Sequence, residues 1–193
     1  MKVEEIFEQQ NQLNESQGIV IFHGDNYNTS RLDPRLMNNG NNQEGIGIYF
    51  SDEISTAKAY GKHVVKAIVD PRKLIPARQT MSSLIPHRTI VNILKDMMKF
   101  DREAMFYMAT DYGAYLTEPE ELEEYHLDEV ASMMGDEEVR NFQTTIAQVF
   151  DVVPFVKSWN RHTRIDGTFH NHNHNERWYA IINPNVRVEK VDG

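Results

Sequence analysis

Any chemistry in this chain must come from carboxylates, hydroxyls, imidazoles and aromatic rings, because its 193 residues include no cysteine. Thiolate nucleophiles, disulfides and thiolate metal sites are thereby excluded. Three positions stand out. His23 follows the apolar run Ile19-Val20-Ile21-Phe22 and precedes Gly24-Asp25, which puts an imidazole at a strand end beside a glycine. Tyr49 lies in Gly45-Ile46-Gly47-Ile48-Tyr49-Phe50, and Tyr60 closes the stretch from Glu53 that Ser51-Asp52 is placed to cap. Near the far end, His170-Asn171-His172-Asn173-His174-Asn175-Glu176 alternates imidazole and amide. On a strand its imidazoles would share one face, as a His-x-His metal site requires. A cupin-like site would need a second histidine motif in later strands, and no histidine follows Glu176. The run therefore reads as a polar connecting loop, and no metal is expected.

The elements that must position these groups follow from periodicity. Val3, Ile6, Phe7 and Leu13 fall near one helical face, and Gly18 stops that pattern before the strand that ends in His23. Asn26 to Gln43 is rich in Asn, Gly, Asp and Pro and reads as a loop. A strand over 45–50, a helix over 53–60 and a strand over 63–70 follow, the last closed by Pro71, which lacks a ladder donor. From about 79 to 150 the spacing is helical, first in Ile90, Ile93, Leu94, Met97 and Met98, then in Val139, Phe142, Ile146, Val149 and Phe150. Strands return over 164–169, 177–183 and 186–191, with Pro184-Asn185 as the final turn. This order predicts an α+β fold in a single domain over 1–193. Its sheet is assembled from both ends of the chain, and a helical insertion occupies about 79–150.

Composition narrows the partners. A net charge of −9 opposes non-specific binding to a phosphate backbone, which depends on Lys and Arg. Nucleic acid is therefore disfavoured. Glu118, Glu120, Glu121, Glu123, Glu124, Asp128 and Glu129 read as a solvated helix face, with contact to a basic partner as the alternative. The sequence shows no apolar run long enough for a membrane span and no secretory signal, which predicts a soluble, cytoplasmic protein.

Four blocks together resemble the ADP-ribosyltransferase superfamily, in its His-Tyr-Glu branch that includes diphtheria toxin and the poly(ADP-ribose) polymerases. They are FHGD (22–25), GIGIYFSDEISTAKAY (45–60), VVKAIVDPRKLI (64–75) and IDGTFHNHNHNERWYAIINPNVRV (165–188). The chain is also similar to effector domains of phage and bacteria. The resemblance implies a split β-sheet around an NAD⁺ cleft, with NAD⁺ as co-substrate. His23 would hold the adenosine ribose, the backbone of Gly24 the nicotinamide carboxamide, and Tyr49 and Tyr60 would sandwich the nicotinamide ring. The branch's glutamate falls, by register, on Trp178, and Glu176 shares its strand face two residues earlier. Glu176 is thus the expected catalytic carboxylate, alongside His23 and Tyr49, and Asp166 is the reserve, with a turn role beside Gly167 as its other reading. Ala57 replaces a serine of many relatives, and Ser55 or Thr56 is the candidate substitute. The run His170, His172, His174 would fall in the loop that helps choose the acceptor. The implied activity is transfer of a single ADP-ribose unit to a macromolecule, expected to be a protein, in the host cytoplasm if the chain is phage-encoded. An inactive module of the same fold that only binds NAD⁺ or ADP-ribose is the alternative.

Overall fold

The computed structural model describes residues 18–27, 29–38, 44–173 and 176–191. The helix expected over 3–13 and the imidazole of His174 lie outside them. Among the described residues, seven strands are β1 (Ile19–Asp25), β2 (Ile48–Ser51), β3 (His63–Val69), β4 (Leu74–Pro76), β5 (Gly167–Asn173), β6 (Glu176–Ile181) and β7 (Val188–Lys190). Seven helices are α1 (Ile54–Tyr60), α2 (Met81–Leu84), α3 (His87–Phe100), α4 (Arg102–Asp111), α5 (Glu124–Gly135), α6 (Val139–Val149) and α7 (Val152–Thr163). The fold is α+β. One sheet runs in the order β4-β5-β6-β2-β1-β3-β7, so strands from both ends of the chain interleave around the helical middle. Only the β4–β5 pair is parallel. None of the described helices is long and apolar enough to cross a membrane.

The sheet buries one face against the helices. Ile21 on β1 and Val65, Ala67 and Val69 on β3 share a core with Ile90, Ile93 and Leu94 of α3, Phe142 of α6 and Trp159 of α7. Their alternates Val20 and Ile68 face each other across the β1–β3 ladder and stay exposed, as period-two patterning dictates. The acidic stretch is exposed at every position named above, and two of its members pair with α3, Lys95 with Glu124 at 2.7 Å and His87 with Asp128 at 2.9 Å.

Several boundaries differ from those the periodicity predicts, each for a local reason. β2 begins at Ile48 because Gly45, at φ +105°, turns the chain first, and Gly47 lies so close to β6 that a Cβ there would come within 2.7 Å of the Ala180 carbonyl carbon. The helical stretch runs on to Thr163. Asp151 caps α7 by accepting the Val153 N–H, and Pro154 falls in the first turn, where its missing donor costs nothing. β5 starts later than expected and carries His170, Asn171 and His172, so this part of the run is strand rather than loop. Asp52 does not cap α1. Its carboxylate accepts the Arg177 N–H of β6 at 2.9 Å, while Ser51 Oγ accepts the Glu53 N–H.

α1 lies directly on β1, and two glycines make that possible. A Cβ on Gly24 would fall 1.8 Å from the Ala57 carbonyl oxygen, and one on Gly61 within 2.2 Å of the Asp25 carbonyl oxygen. The bareness of Gly24 is thus already used by the helix backbone. Replacing Gly24 with alanine must push α1 off the sheet, and Gly24→Ala is expected to cost about 3 kcal/mol, the upper range for overpacking a tight contact. Urea unfolding measures this, and an unchanged midpoint would show that α1 is not seated so closely.

Candidate functional site

β1 and β2 are neighbours in the sheet but share a single register pair, Phe22 opposite Ser51. Past that point β1 continues along β3 and β2 along β6, so the ladder opens into a cleft. Regular pairing would place Gly24 opposite Tyr49. Instead the His23 side chain spans the gap, with Nδ1 2.7 Å from the Tyr49 carbonyl oxygen. A carbonyl only accepts, so Nδ1 carries the proton, and in the neutral ring Nε2 is left as an acceptor. Nε2 lies 3.7 Å from Asp25 Oδ2, too far for a hydrogen bond. The ring also rests against Phe50, with centroids 5.4 Å apart.

The cleft has a volume of about 230 Å³, and His23, Gly24, Tyr49 and Tyr60 all line it. Phe22, Ile48, Phe50 and Ala57 supply an apolar floor, and Ser51, Thr56 and Trp178 a more polar wall. The Tyr49 hydroxyl is committed elsewhere. It donates to the Gly45 carbonyl at 2.9 Å and accepts the Glu44 N–H at 3.1 Å. Burial pushes this phenol up to about 12; the Glu44 N–H opposes the rise and the Glu44 charge adds to it. It is therefore neutral at physiological pH and presents only its ring. Tyr60, at the end of α1, is 65% exposed although it borders a cleft, which leaves an aromatic face open to a ligand.

Glu176 opens β6, and its carboxylate lies against the polar wall. Oε1 accepts from Ser51 Oγ at 2.9 Å and from Trp178 Nε1 at 2.8 Å, and the Thr56 hydroxyl adds a third bond to the carboxylate. Burial pushes this carboxyl up, but the bonds from Thr56, Trp178 and Ser51 together outweigh it and hold the group below the usual glutamate range. Trp178, in the register where the resemblance implies a carboxylate, is itself part of the cleft wall and is stacked by His172 at 4.1 Å and 8°. Of these three donors, Ser51 and Thr56 are brought to Glu176 only by the β2–β6 ladder and α1, while Trp178 is its neighbour on β6.

The other expected residues are placed away from the cleft. Ser55 is exposed and does not line it, whereas Thr56, one helical step of about 100° further, does. Asp166 is buried just before β5, tied to the ends of other elements. Its carboxylate accepts from Asn183 Nδ2 at 2.6 Å and lies 3.7 Å from Lys73 Nζ, and its carbonyl accepts the Ile182 N–H. His170 sits opposite Trp178 on the neighbouring strand. Among the described residues no three His, Asp or Glu side chains gather as a metal site would need. Thr56 and Ser51 were legible as hydroxyls flanking a helix start, but their shared carboxylate lies 125 residues from Ser51 in sequence.

The bonded state of Glu176 has a pH signature. Its folded value is lowered, so its ionised form contributes stability above the ordinary glutamate range and loses it as pH falls through the lowered folded value. Trp178→Phe removes one donor and keeps the ring, and the Glu176 carboxyl should then titrate at higher pH. Carbon-13 NMR of the labelled carboxylate measures this; an unmoved titration would show that Trp178 Nε1 does not hold it.

No family model matches the chain, and no curated protein matches it. Among solved structures it is similar to one described as the crystal structure of an anti-CRISPR protein, at 12% identity and a TM-score of 0.36, over 92% of this chain and 98% of that one.

Proposed function

We propose that this chain binds NAD⁺ in the cleft between β1 and β2 and transfers a single ADP-ribose unit from it to a protein acceptor, as an ADP-ribosyltransferase of the His-Tyr-Glu kind. The observation that carries this reading is the meeting of His23, Tyr49 and Tyr60 around one cleft at the point where the sheet divides. Each group suits a part of the dinucleotide. His23 Nε2 can accept from a ribose hydroxyl, because its other nitrogen is occupied. Tyr49 and Tyr60 offer rings to the cationic pyridinium, a contact worth roughly 0.5–2 kcal/mol.

The chemistry needs little proton transfer at the leaving group. When the bond from ribose C1′ to the pyridinium nitrogen breaks, its electron pair leaves with neutral nicotinamide, and an acceptor nucleophile then bonds to C1′ and gives up its proton. What the protein must supply is stabilisation of the cation at C1′. Glu176 is suited to that task because the bonds from Thr56, Trp178 and Ser51 favour its ionised form.

A second reading has its own support. Glu176 lies against the wall while Trp178 forms part of it, and a carboxylate engaged by three side chains suits a structural role in a module that binds NAD⁺ or ADP-ribose without turning it over. Release of nicotinamide from NAD⁺ separates the two. For the enzyme, Glu176→Gln should lower release by about 10²–10³-fold, the typical cost of losing a preorganised electrostatic partner, with NAD⁺ binding retained. NAD⁺ uptake without release by the unaltered protein would favour the module, and no uptake at all would sink both.

A further inference from the structure

One buried charge is used by none of the chemistry above. Glu44 precedes the turn into β2, its side chain is 2% exposed, and its Oε2 has no hydrogen-bond partner among the described residues. Oε1 lies 3.6 Å from Arg78, on the chain just after β4. Arg140 of α6 and His170 and His172 of β5 face the same carboxylate closely enough to act on its charge. Burial raises the Glu44 carboxyl, and these four groups oppose the rise without cancelling it. A buried carboxylate with one idle oxygen is a costly way to stabilise a fold, since an apolar side chain of similar size would avoid the penalty. A role in placement accounts for its presence better than stability does.

The backbone around it shows what is placed. The Glu44 N–H donates to the Tyr49 hydroxyl, which in turn donates to the Gly45 carbonyl. The Glu44 carbonyl accepts from Thr168 Oγ on β5, and the Ile46 N–H donates to Gln143 Oε1 on α6. Gly45 sits at φ +105°, a conformation strained for any side chain, and a Cβ there would lie 2.3 Å from Gln143 Oε1, which would have to move. Residues 44–46 are therefore a small clamp, gripping the cleft tyrosine on one side and the insertion on the other.

We propose that Glu44 is a positioning residue for the cleft, its carboxylate anchored by Arg78 so that the 44–46 turn holds the Tyr49 phenol in place. The link to ligand binding rests on the reading that Tyr49 faces NAD⁺; the clamp itself does not. The insertion then has a task beyond adding core, because Arg78 leads into it and Gln143 belongs to it.

The test uses the whole chain with the ring of Tyr49 carbon-13 labelled, in the Glu44→Gln and Arg78→Gln variants. Both should shift the Tyr49 Cζ resonance, which reports the hydrogen bonds of the hydroxyl. Both should also weaken NAD⁺ binding in calorimetry by about tenfold, the size expected for loss of one charge-assisted contact. An unmoved resonance in the folded variants, even with a lowered melting temperature, assigns Glu44 a merely structural role and overturns the proposal. Arg78 is half exposed, so Arg78→Gln decides alone if Glu44→Gln does not fold. If the unaltered protein takes up no NAD⁺, the reading of the cleft fails while the resonance still decides the clamp.

Discussion

The hydrogen bond from the His23 imidazole to the Tyr49 carbonyl is the contact on which the site depends. Where β1 and β2 part, the carbonyl of Tyr49 loses the strand partner it would otherwise have. A buried carbonyl left unpaired costs about 1–3 kcal/mol, enough to pull two strands back together or to draw in water. The imidazole removes that penalty without closing the gap. One bond thus keeps the ladder open, fixes the tautomer of the ring and aims its second nitrogen away from the backbone. The cleft exists because a side chain has taken over a duty of the main chain.

Much of the fold was legible because it rests on short-range periodicity. Ile90, Ile93, Leu94 and Met97 repeat at helical spacing, and they are buried on α3. The strand ending in His23 and the one closed by Pro71 follow equally from an apolar run and its terminator. What escaped was set by long-range pairing. β4 is three residues long and is a strand only because Gly167 to Phe169 lie beside it. The His/Asn run has the composition of a loop, yet the ladder from Trp178 and Arg177 extends β5 into it as far as Asn173. α7, beyond the stretch the periodicity marks, rests on its Asp151 cap and on Pro154 falling in the first turn, where it is harmless.

The site divides along the same line. His23 and Tyr49 lie within short strands and Tyr60 closes a helix, so each belongs to a local element, and their types stand out in sequence. The environment of Glu176 could not be read that way. Its partners Ser51 and Thr56 come from the other end of the chain, and Trp178, two residues on, looked like a replacement for a carboxylate rather than a donor to one. Glu44 is equally invisible from its neighbours. It lies beside a Gly-rich turn in a polar loop, and nothing nearby in sequence tells that Arg78, Arg140 and His170 will face its carboxylate. The missing Cβ of Gly24 serves the backbone of α1, which approaches it from above the sheet.

The interleaved strand order also governs when the cleft can first exist. β2 is held on one side by a single residue pair with β1 and on the other by four with β6, which the ribosome makes only after every helix of the middle segment. Contacts so distant along the chain form late, since the intervening loop must be closed before they repay its entropy. During synthesis the β1–β3 ladder and the helices can assemble while the pocket's polar wall is still missing. A nascent chain is therefore without a complete pocket until its last strands emerge, and translation itself delays whatever the pocket does.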